Sequence, residues 1–205
     1  MSIAKSGIII GAATLVVLFI FFWALSPGST PAIKDEQGNV PADSIASLDK
    51  VDIGGMDQWI LVRGKDVSNP VLLWLHGGPG AAQMPIARHF NGALEEHFIV
   101  VHWDQRGAGK SNPFGFEEQT MTFEQFVDDA HQMTQYLKKR FNKDKIYLVG
   151  HSWGSQMGIM LAHLYPDDYY AYVAVSQVVD DNAGAEIAYK WLMEEIKKKG
   201  NNKDR

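Results

Sequence analysis

The feature that most constrains this chain is the sequence Gly-His-Ser-Trp-Gly at residues 150–154, which matches the pattern G-x-S-x-G. It directly follows an apolar run typical of a buried strand, at residues 146–149, and directly precedes a segment with helical spacing of apolar residues. A serine at such a tight turn projects its hydroxyl clear of the sheet, and flanking glycines are needed because larger side chains would clash. The context predicts that Ser152 is a nucleophile, whereas the pattern alone would also fit a structural glycine-rich turn.

The order of elements around this turn predicts an α/β fold with a doubly wound, mostly parallel sheet. Near-continuous apolar runs suit parallel strands that are buried on both faces. Four such runs occur, at residues 71–75, 98–103, 146–149 and 170–175. Two shorter β-prone runs, at residues 51–53 and 59–62, flank a Gly-Gly pair and predict an antiparallel pair at the edge of the sheet.

Helices are predicted between and after these strands. Thr122 and Gln125 have the spacing of a capping box, and they precede a run of apolar residues at helical spacing. The run ends in basic residues, which the helix dipole favours at that end. Further helices are expected at residues 154–164 and 185–199.

A second glycine-rich motif, His-Gly-Gly-Pro-Gly at residues 76–80, follows the first of the parallel strands. A loop in this position can turn a backbone N–H toward a substrate carbonyl and form half of an oxyanion hole. The other half is the N–H of the residue after the nucleophile. Gly78 and Trp153 are therefore the predicted donors. The loop taken alone would better suit a simple turn of the chain, but its pairing with the serine turn favours the oxyanion hole.

A third motif, Asp-Gln-Arg-Gly-Ala-Gly-Lys-Ser, occupies residues 104–111. Its last three residues match the end of a P-loop, but Asp104 stands where the first glycine of that motif belongs, which argues against a nucleotide site. We expect Asp104 and Arg106 to stabilise the loop through a charge-assisted hydrogen bond. No cofactor is expected.

In their order and spacing, these three motifs resemble those of the proline iminopeptidase family of α/β-hydrolases, serine aminopeptidases that release an N-terminal residue, often proline. The resemblance covers about residues 50–191 and includes the Val-Val-Asp at residues 178–180, where such enzymes leave the core for a helical cap. It implies Ser152 as the nucleophile, with Gly78 and Trp153 as oxyanion donors, and a small peptide substrate. An ester substrate on the same fold remains an alternative, because a fold does not determine a function.

The general base of this fold is missing from the sequence. The triad order is Ser, then an acid, then His, and no histidine follows His163. Asp180 comes just after a strand, yet we interpret it as the beginning of the cap and not as the acid. Serine without a base is a weak nucleophile, so the chain as written should be nearly inert. We therefore expect a partial chain of an active enzyme, one that lacks two core strands and most of the cap. The rival interpretation is an inactive fragment that keeps the fold.

The leading segment predicts a membrane anchor. Residues 8–25 are uncharged and apolar, and 18 helical residues nearly cross a bilayer core of roughly 30 Å. The run is longer than the apolar part of a cleaved signal peptide, which is the alternative. Lys5 precedes the run, which favours an amino terminus inside and a domain on the extracytoplasmic side of a single-pass membrane protein.

The predicted organisation has four parts. The membrane anchor is predicted at residues 1–25 and the spacer at residues 26–47. The incomplete α/β-hydrolase core is predicted at residues 48–177, and the start of the cap at residues 178–205. A formal net charge of -5 provides no basic footprint for nucleic acid. Because the chain has no cysteine, disulfides and thiolate metal sites are excluded.

Overall fold

The computed structural model describes residues 14–18, 28–115 and 118–200. The strands are β1 (Ile45–Ile53), β2 (Met56–Gly64), β3 (Val71–Leu75), β4 (Ile99–Asp104), β5 (Ile146–His151) and β6 (Tyr169–Val175). The helices after residue 28 are α1 (Met84–Phe90), α2 (Phe123–Phe141), α3 (Trp153–Leu164) and α4 (Asp181–Gly200). Residues 14–18 are helical as well.

The six strands form one sheet in the order β1-β2-β4-β3-β5-β6. β3 pairs in parallel with β4 and β5, and β5 pairs in parallel with β6. β1 and β2 are antiparallel, and they extend beyond the short predicted runs because their pairing continues without a break from Ile45 opposite Gly64 to Ile53 opposite Met56. The predicted mixed α/β sheet, with an antiparallel pair at its edge, is confirmed.

Helices cover the sheet on both faces. On one face, Leu73 and Leu148 lie in a large buried cluster with Met133 of α2 and Met157 of α3. On the other face, Met84 of α1 packs in a smaller cluster with residues of β2. Successive residues of a strand point to opposite faces, so strands covered on both sides need apolar residues at nearly every position.

Helix α2 begins where the sequence predicts. The Thr122 hydroxyl accepts a hydrogen bond from the Gln125 N–H at 3.2 Å, as in a capping box. The Gln125 side chain does not complete the box, because its amide donates to Asp129 Oδ1 at 2.7 Å. The capping box is therefore half formed: the Thr122 hydroxyl satisfies the Gln125 N–H, but the Gln125 side chain does not return a hydrogen bond to Thr122.

Strand β6 and helix α4 leave apolar side chains open to solvent. β6 is the last strand of the sheet, and its Tyr170 and Val173 are 59% and 52% exposed. α4 has no buried residue, and Trp191 is 61% exposed. Asp180 Oδ1 accepts from the Ala183 N–H at 2.9 Å, a hydrogen bond that caps the N-terminus of α4. The assignment of Asp180 to the start of a cap domain stays a prediction. Apolar surface is therefore exposed both at this edge of the sheet and on this helix.

The predicted membrane-spanning helix at residues 8–25 is not supported. Of that range the structure describes only residues 14–18, which are helical. Across the described ranges, no helix is both long enough and apolar enough to span a bilayer. The prediction of a single-pass membrane protein with an extracytoplasmic domain is therefore wrong on this finding, and the rest of the span lies outside the described residues.

Candidate active site

Ser152 lies at the turn that joins β5 to α3. Its backbone has φ 52° and ψ -119°, an unusual conformation for a residue with a side chain. The Ser152 N–H donates to the Val175 carbonyl at 2.9 Å, so the end of β6 supports this conformation. Such strain is retained where the surroundings enforce it, and it is common at active sites.

The two glycines of the motif are required by close packing. A Cβ on Gly154 would lie 2.3 Å from the Leu75 carbonyl oxygen, and a Cβ on Gly150 would lie 2.5 Å from the Gly154 carbonyl oxygen. Both obstacles are backbone atoms, which cannot turn aside. The predicted reason for flanking glycines at the serine turn is therefore confirmed.

Ser155 connects the turn to the segment after β6. Its hydroxyl donates to the Ser152 carbonyl at 2.6 Å and accepts from the Val178 N–H at 3.0 Å. The Tyr172 hydroxyl donates to the Ser155 carbonyl at 2.9 Å. Sequence reasoning missed this role of Ser155, and the only available signal was its place in the first turn of a helix, where serine often bonds to nearby backbone.

The glycine-rich loop at residues 76–80 lies against the serine turn. A Cβ on Gly77 would lie 3.1 Å from Ser152 Cβ, so the two motifs are in contact, as their order along the sheet predicts. Gly78 has φ +119°, and a Cβ there would meet the Gly80 and Ala81 nitrogens within 2.7 Å. Only glycine suits that position.

The two predicted oxyanion donors belong to these two elements. Gly78 lies in the glycine-rich loop, and Trp153 is the first residue of α3. The Trp153 ring packs edge-on against Phe123 and Phe126 of α2. Donation by their N–H groups to a developing oxyanion remains a prediction.

His76 holds the glycine-rich loop in place. The Gln105 N–H donates to His76 Nε2 at 3.2 Å, so His76 Nδ1 carries the proton that it shares with the Gly77 carbonyl at 2.8 Å. Burial lowers the pKa of His76, which favours this neutral ring. Because both nitrogens are engaged, His76 has a structural role.

No histidine in the described part of the chain lies within hydrogen-bond distance of the Ser152 hydroxyl. His151 is adjacent in sequence, but its Nδ1 faces the Gln83 amide at 3.3 Å. His163 lies near the end of α3, away from the serine turn. That none of the seven histidines is the general base stays a prediction.

The expected pair of Asp104 and Arg106 does not form. Arg106 instead donates to Asp129 on α2, from Nε at 2.8 Å and from Nη2 at 2.9 Å. Asp104 Oδ2 accepts from the Lys110 N–H at 2.8 Å, and burial raises the pKa of Asp104. Asp104 is the last residue of β4 and points to the face covered by α1, whereas Arg106 lies beyond the strand and reaches α2 on the opposite face. The two side chains are therefore separated by the sheet.

A cavity of about 640 Å³ lies on the α1 face, with Leu48, Leu61, Met84 and Asp104 among its walls. Ser152 does not line it, and the Ser152 side chain is half-buried. Ser152 itself directly follows the carboxyl end of β5, and the carboxyl ends of parallel strands are the usual position of ligands on such a sheet.

The sequence of this chain is similar to those of a known protein family. The profile of a family described as serine aminopeptidase, S33, matches residues 68–202. The probable aminopeptidase YbaC of Bacillus subtilis strain 168 is 43% identical over 151 residues, which cover 74% of this chain and 48% of that protein. A proline iminopeptidase of Arabidopsis thaliana is 36% identical over 104 residues, 51% of this chain and 25% of that protein. The chain thus spans about half the length, or less, of these curated relatives.

Solved structures show the same fold. A proline iminopeptidase-related protein from Thermus thermophilus superposes with a TM-score of 0.57 at 24% identity, covering 66% of this chain and 46% of that one. The epoxide hydrolase VrEH1 of Vigna radiata superposes with a TM-score of 0.55 at 26% identity, covering 66% and 41%. The mixed sheet and its helices therefore match part of the α/β-hydrolase fold.

Proposed function

The chain belongs to the serine aminopeptidase S33 family of α/β-hydrolases, and from this premise we propose that it carries the nucleophile of a hydrolase of the proline iminopeptidase type. Its substrate is a small peptide, from which it releases the N-terminal residue, often proline. The observation that carries the proposal is the strained backbone of Ser152 between β5 and α3, with the glycine-rich loop packed against it. This arrangement holds a hydroxyl where a carbonyl can meet it.

In the proposed reaction, the Ser152 oxygen forms a bond to the carbonyl carbon of the scissile peptide bond while its proton passes to a base. The N–H groups of Gly78 and Trp153 donate to the oxyanion. The tetrahedral intermediate collapses, the C–N bond breaks, and the leaving amine takes up the proton. Water then hydrolyses the acyl-enzyme and restores the Ser152 hydroxyl.

The base and the acid of this reaction are proposed to come from polypeptide outside these 205 residues. Two observations support this part of the proposal. Within the described residues no histidine is hydrogen-bonded to the Ser152 hydroxyl, and the relatives extend well beyond the matched region. Serine depends on an adjacent base, so we expect the present chain alone to react slowly.

Covalent labelling tests the nucleophile. A fluorophosphonate should modify Ser152 slowly, and added imidazole should accelerate the reaction because it supplies the missing base. Ser152→Ala should abolish the labelling. Ser176→Ala is the matched control, since Ser176 also has a positive φ, 54°, and is exposed. Equal labelling of Ser152→Ala and the parent chain would refute the proposed nucleophile.

A second candidate function is hydrolysis of esters on the same fold, because the described site does not by itself distinguish an amide from an ester. The names of the curated relatives favour the peptidase. Turnover of a proline-aminoacyl reporter and of a short-chain ester, each measured with imidazole present, separates the two. Faster turnover of the ester alone would favour the esterase, and failure of every probe would favour the inactive fragment.

A further inference from the structure

Three side chains form a hydrogen-bonded series beside Ser152. The Trp74 indole N–H donates to Gln83 Oε1 at 2.7 Å, and Gln83 Nε2 lies 3.3 Å from His151 Nδ1. Trp74 comes from β3, Gln83 precedes α1, and His151 ends β5. The series therefore depends on the tertiary arrangement of three separate elements.

The chemistry of these groups determines the direction of each hydrogen bond. An indole N–H is only a donor, so Gln83 turns its carbonyl oxygen to Trp74 and its amide nitrogen to His151. The amide nitrogen is also only a donor, so His151 Nδ1 must accept. A neutral imidazole that accepts at Nδ1 carries its proton at Nε2. The Trp74 and Gln83 side chains thus select one tautomer of His151.

The His151 ring lies next to the nucleophile. His151 Nδ1 and Ser152 Cβ are each 3.1 Å from the position that a Cβ would take on Gly77, so both groups meet the glycine-rich loop at one point. His151 is half-buried, and in the part of the chain that the structure describes its Nε2 has no hydrogen-bond partner. His76, in contrast, is buried and engaged at both nitrogens.

We propose that His151 is a specificity-determining residue, whose Nε2–H donates to an oxygen acceptor, such as a carbonyl, on the acyl part of the substrate. Gln83 is a positioning residue that acts through His151 by holding the donor tautomer. The proposal rests on Ser152 being the nucleophile. A site with a fixed, otherwise unsatisfied donor discriminates against substrates that lack the acceptor.

The tautomer can be measured without any enzymatic activity, by nitrogen-15 NMR of the histidine rings. The parent chain should show His151 protonated at Nε2. Gln83→Glu replaces the amide donor with a carboxylate acceptor and should shift the proton to Nδ1. Gln135→Glu is the control, because Gln135 contacts a different histidine, His131, at 3.0 Å. A parent ring protonated at Nδ1, or a His151 signal unchanged in Gln83→Glu, would overturn the proposed tautomer.

The selectivity is tested with two matched phosphonates, one carrying a carbonyl in the acyl-mimicking part and one carrying a methylene in its place, both with imidazole added. The parent chain should react about tenfold faster with the carbonyl probe, the value of one hydrogen bond of about 1.4 kcal/mol. In His151→Phe and Gln83→Glu the ratio should fall toward one, while the methylene probe still labels Ser152. An unchanged ratio in His151→Phe refutes this inference alone, whereas a parent chain unreactive to both probes refutes the proposed nucleophile as well.

Discussion

Arg106 donates two parallel hydrogen bonds to Asp129, from Nε to Oδ2 at 2.8 Å and from Nη2 to Oδ1 at 2.9 Å. Both side chains are buried, with exposures of 4% and 0%. Gln58 and Gln125 donate to the same carboxylate at 2.8 and 2.7 Å, so its oxygens are satisfied. The pair connects the loop after β4 to α2, and through Gly54, whose carbonyl accepts from Arg106, to the β1-β2 turn.

Removal of one partner of this pair should be strongly destabilising. Arg106→Met leaves a buried carboxylate without its cation, and we expect the free energy of unfolding to fall by about 3–5 kcal/mol. Urea denaturation followed by circular dichroism measures the change. Lys50→Met is the control, because the Lys50–Asp57 pair is about half exposed and should contribute less than about 1 kcal/mol. Equal effects of the two substitutions would contradict the predicted role of burial.

The serine turn should not tolerate a side chain at Gly154. In Gly154→Ala the new Cβ would overlap the Leu75 carbonyl, and we expect a loss of about 1–3 kcal/mol in stability, together with slower labelling of Ser152. Gly184→Ala provides the matched control in α4, because nothing lies within 4 Å of that position. There alanine should stabilise the helix by up to about 1 kcal/mol. The prediction fails if the two variants shift the unfolding midpoint in the same direction.

The cap of α2 should depend on one hydroxyl. Thr122→Ala removes the acceptor for the Gln125 N–H and should cost about 1 kcal/mol, whereas Thr122→Ser keeps the oxygen and should cost much less. Thermal unfolding of the three proteins measures the difference. Identical transitions for the alanine and serine variants would mean that the Thr122 hydroxyl does not cap the helix.

His102 should make the protein less stable in acid. Burial, with a contribution from nearby His76, lowers the pKa of His102 from 6.5 to about 4. Between these values the unfolded chain binds more protons than the folded one, so the free energy of unfolding falls as the pH decreases from 6.5 to 4. This contribution is on the order of 3 kcal/mol. It is fully present above pH 6.5.

The variant His102→Phe isolates this effect, since phenylalanine does not titrate. Its free energy of unfolding, measured in urea at about pH 7 and about pH 4, should decrease less than that of the parent chain. The raised pKa of Asp104 has the opposite effect, because it increases the free energy of unfolding as the pH falls. Asp104 is present in both proteins, so its contribution cancels when their pH dependences are compared. A decrease of equal size in the two proteins would show that His102 does not titrate as proposed.

Much of the sheet could be predicted because its strands are buried on both faces and leave uninterrupted apolar runs. β3 matches its predicted bounds, and β5 begins where predicted, at Ile146. α1 was not predicted, since seven residues that include Pro85 show too little helical periodicity. The partner of Arg106 was predicted incorrectly, because proximity in sequence says little about which face of the sheet a side chain reaches.

The motifs, their order and the position of the last histidine, His163, are read directly from the sequence. The strands and helices that carry the motifs could also be predicted, because they depend on the local spacing of buried apolar residues. Only the tertiary structure decided which distant groups meet: Ser155 with Val178, Gly77 with Ser152, and Gln83 with His151. The reason is physical. A hydrogen bond between separate elements depends on strand order, register and helix placement, and these arise from packing across the whole sheet.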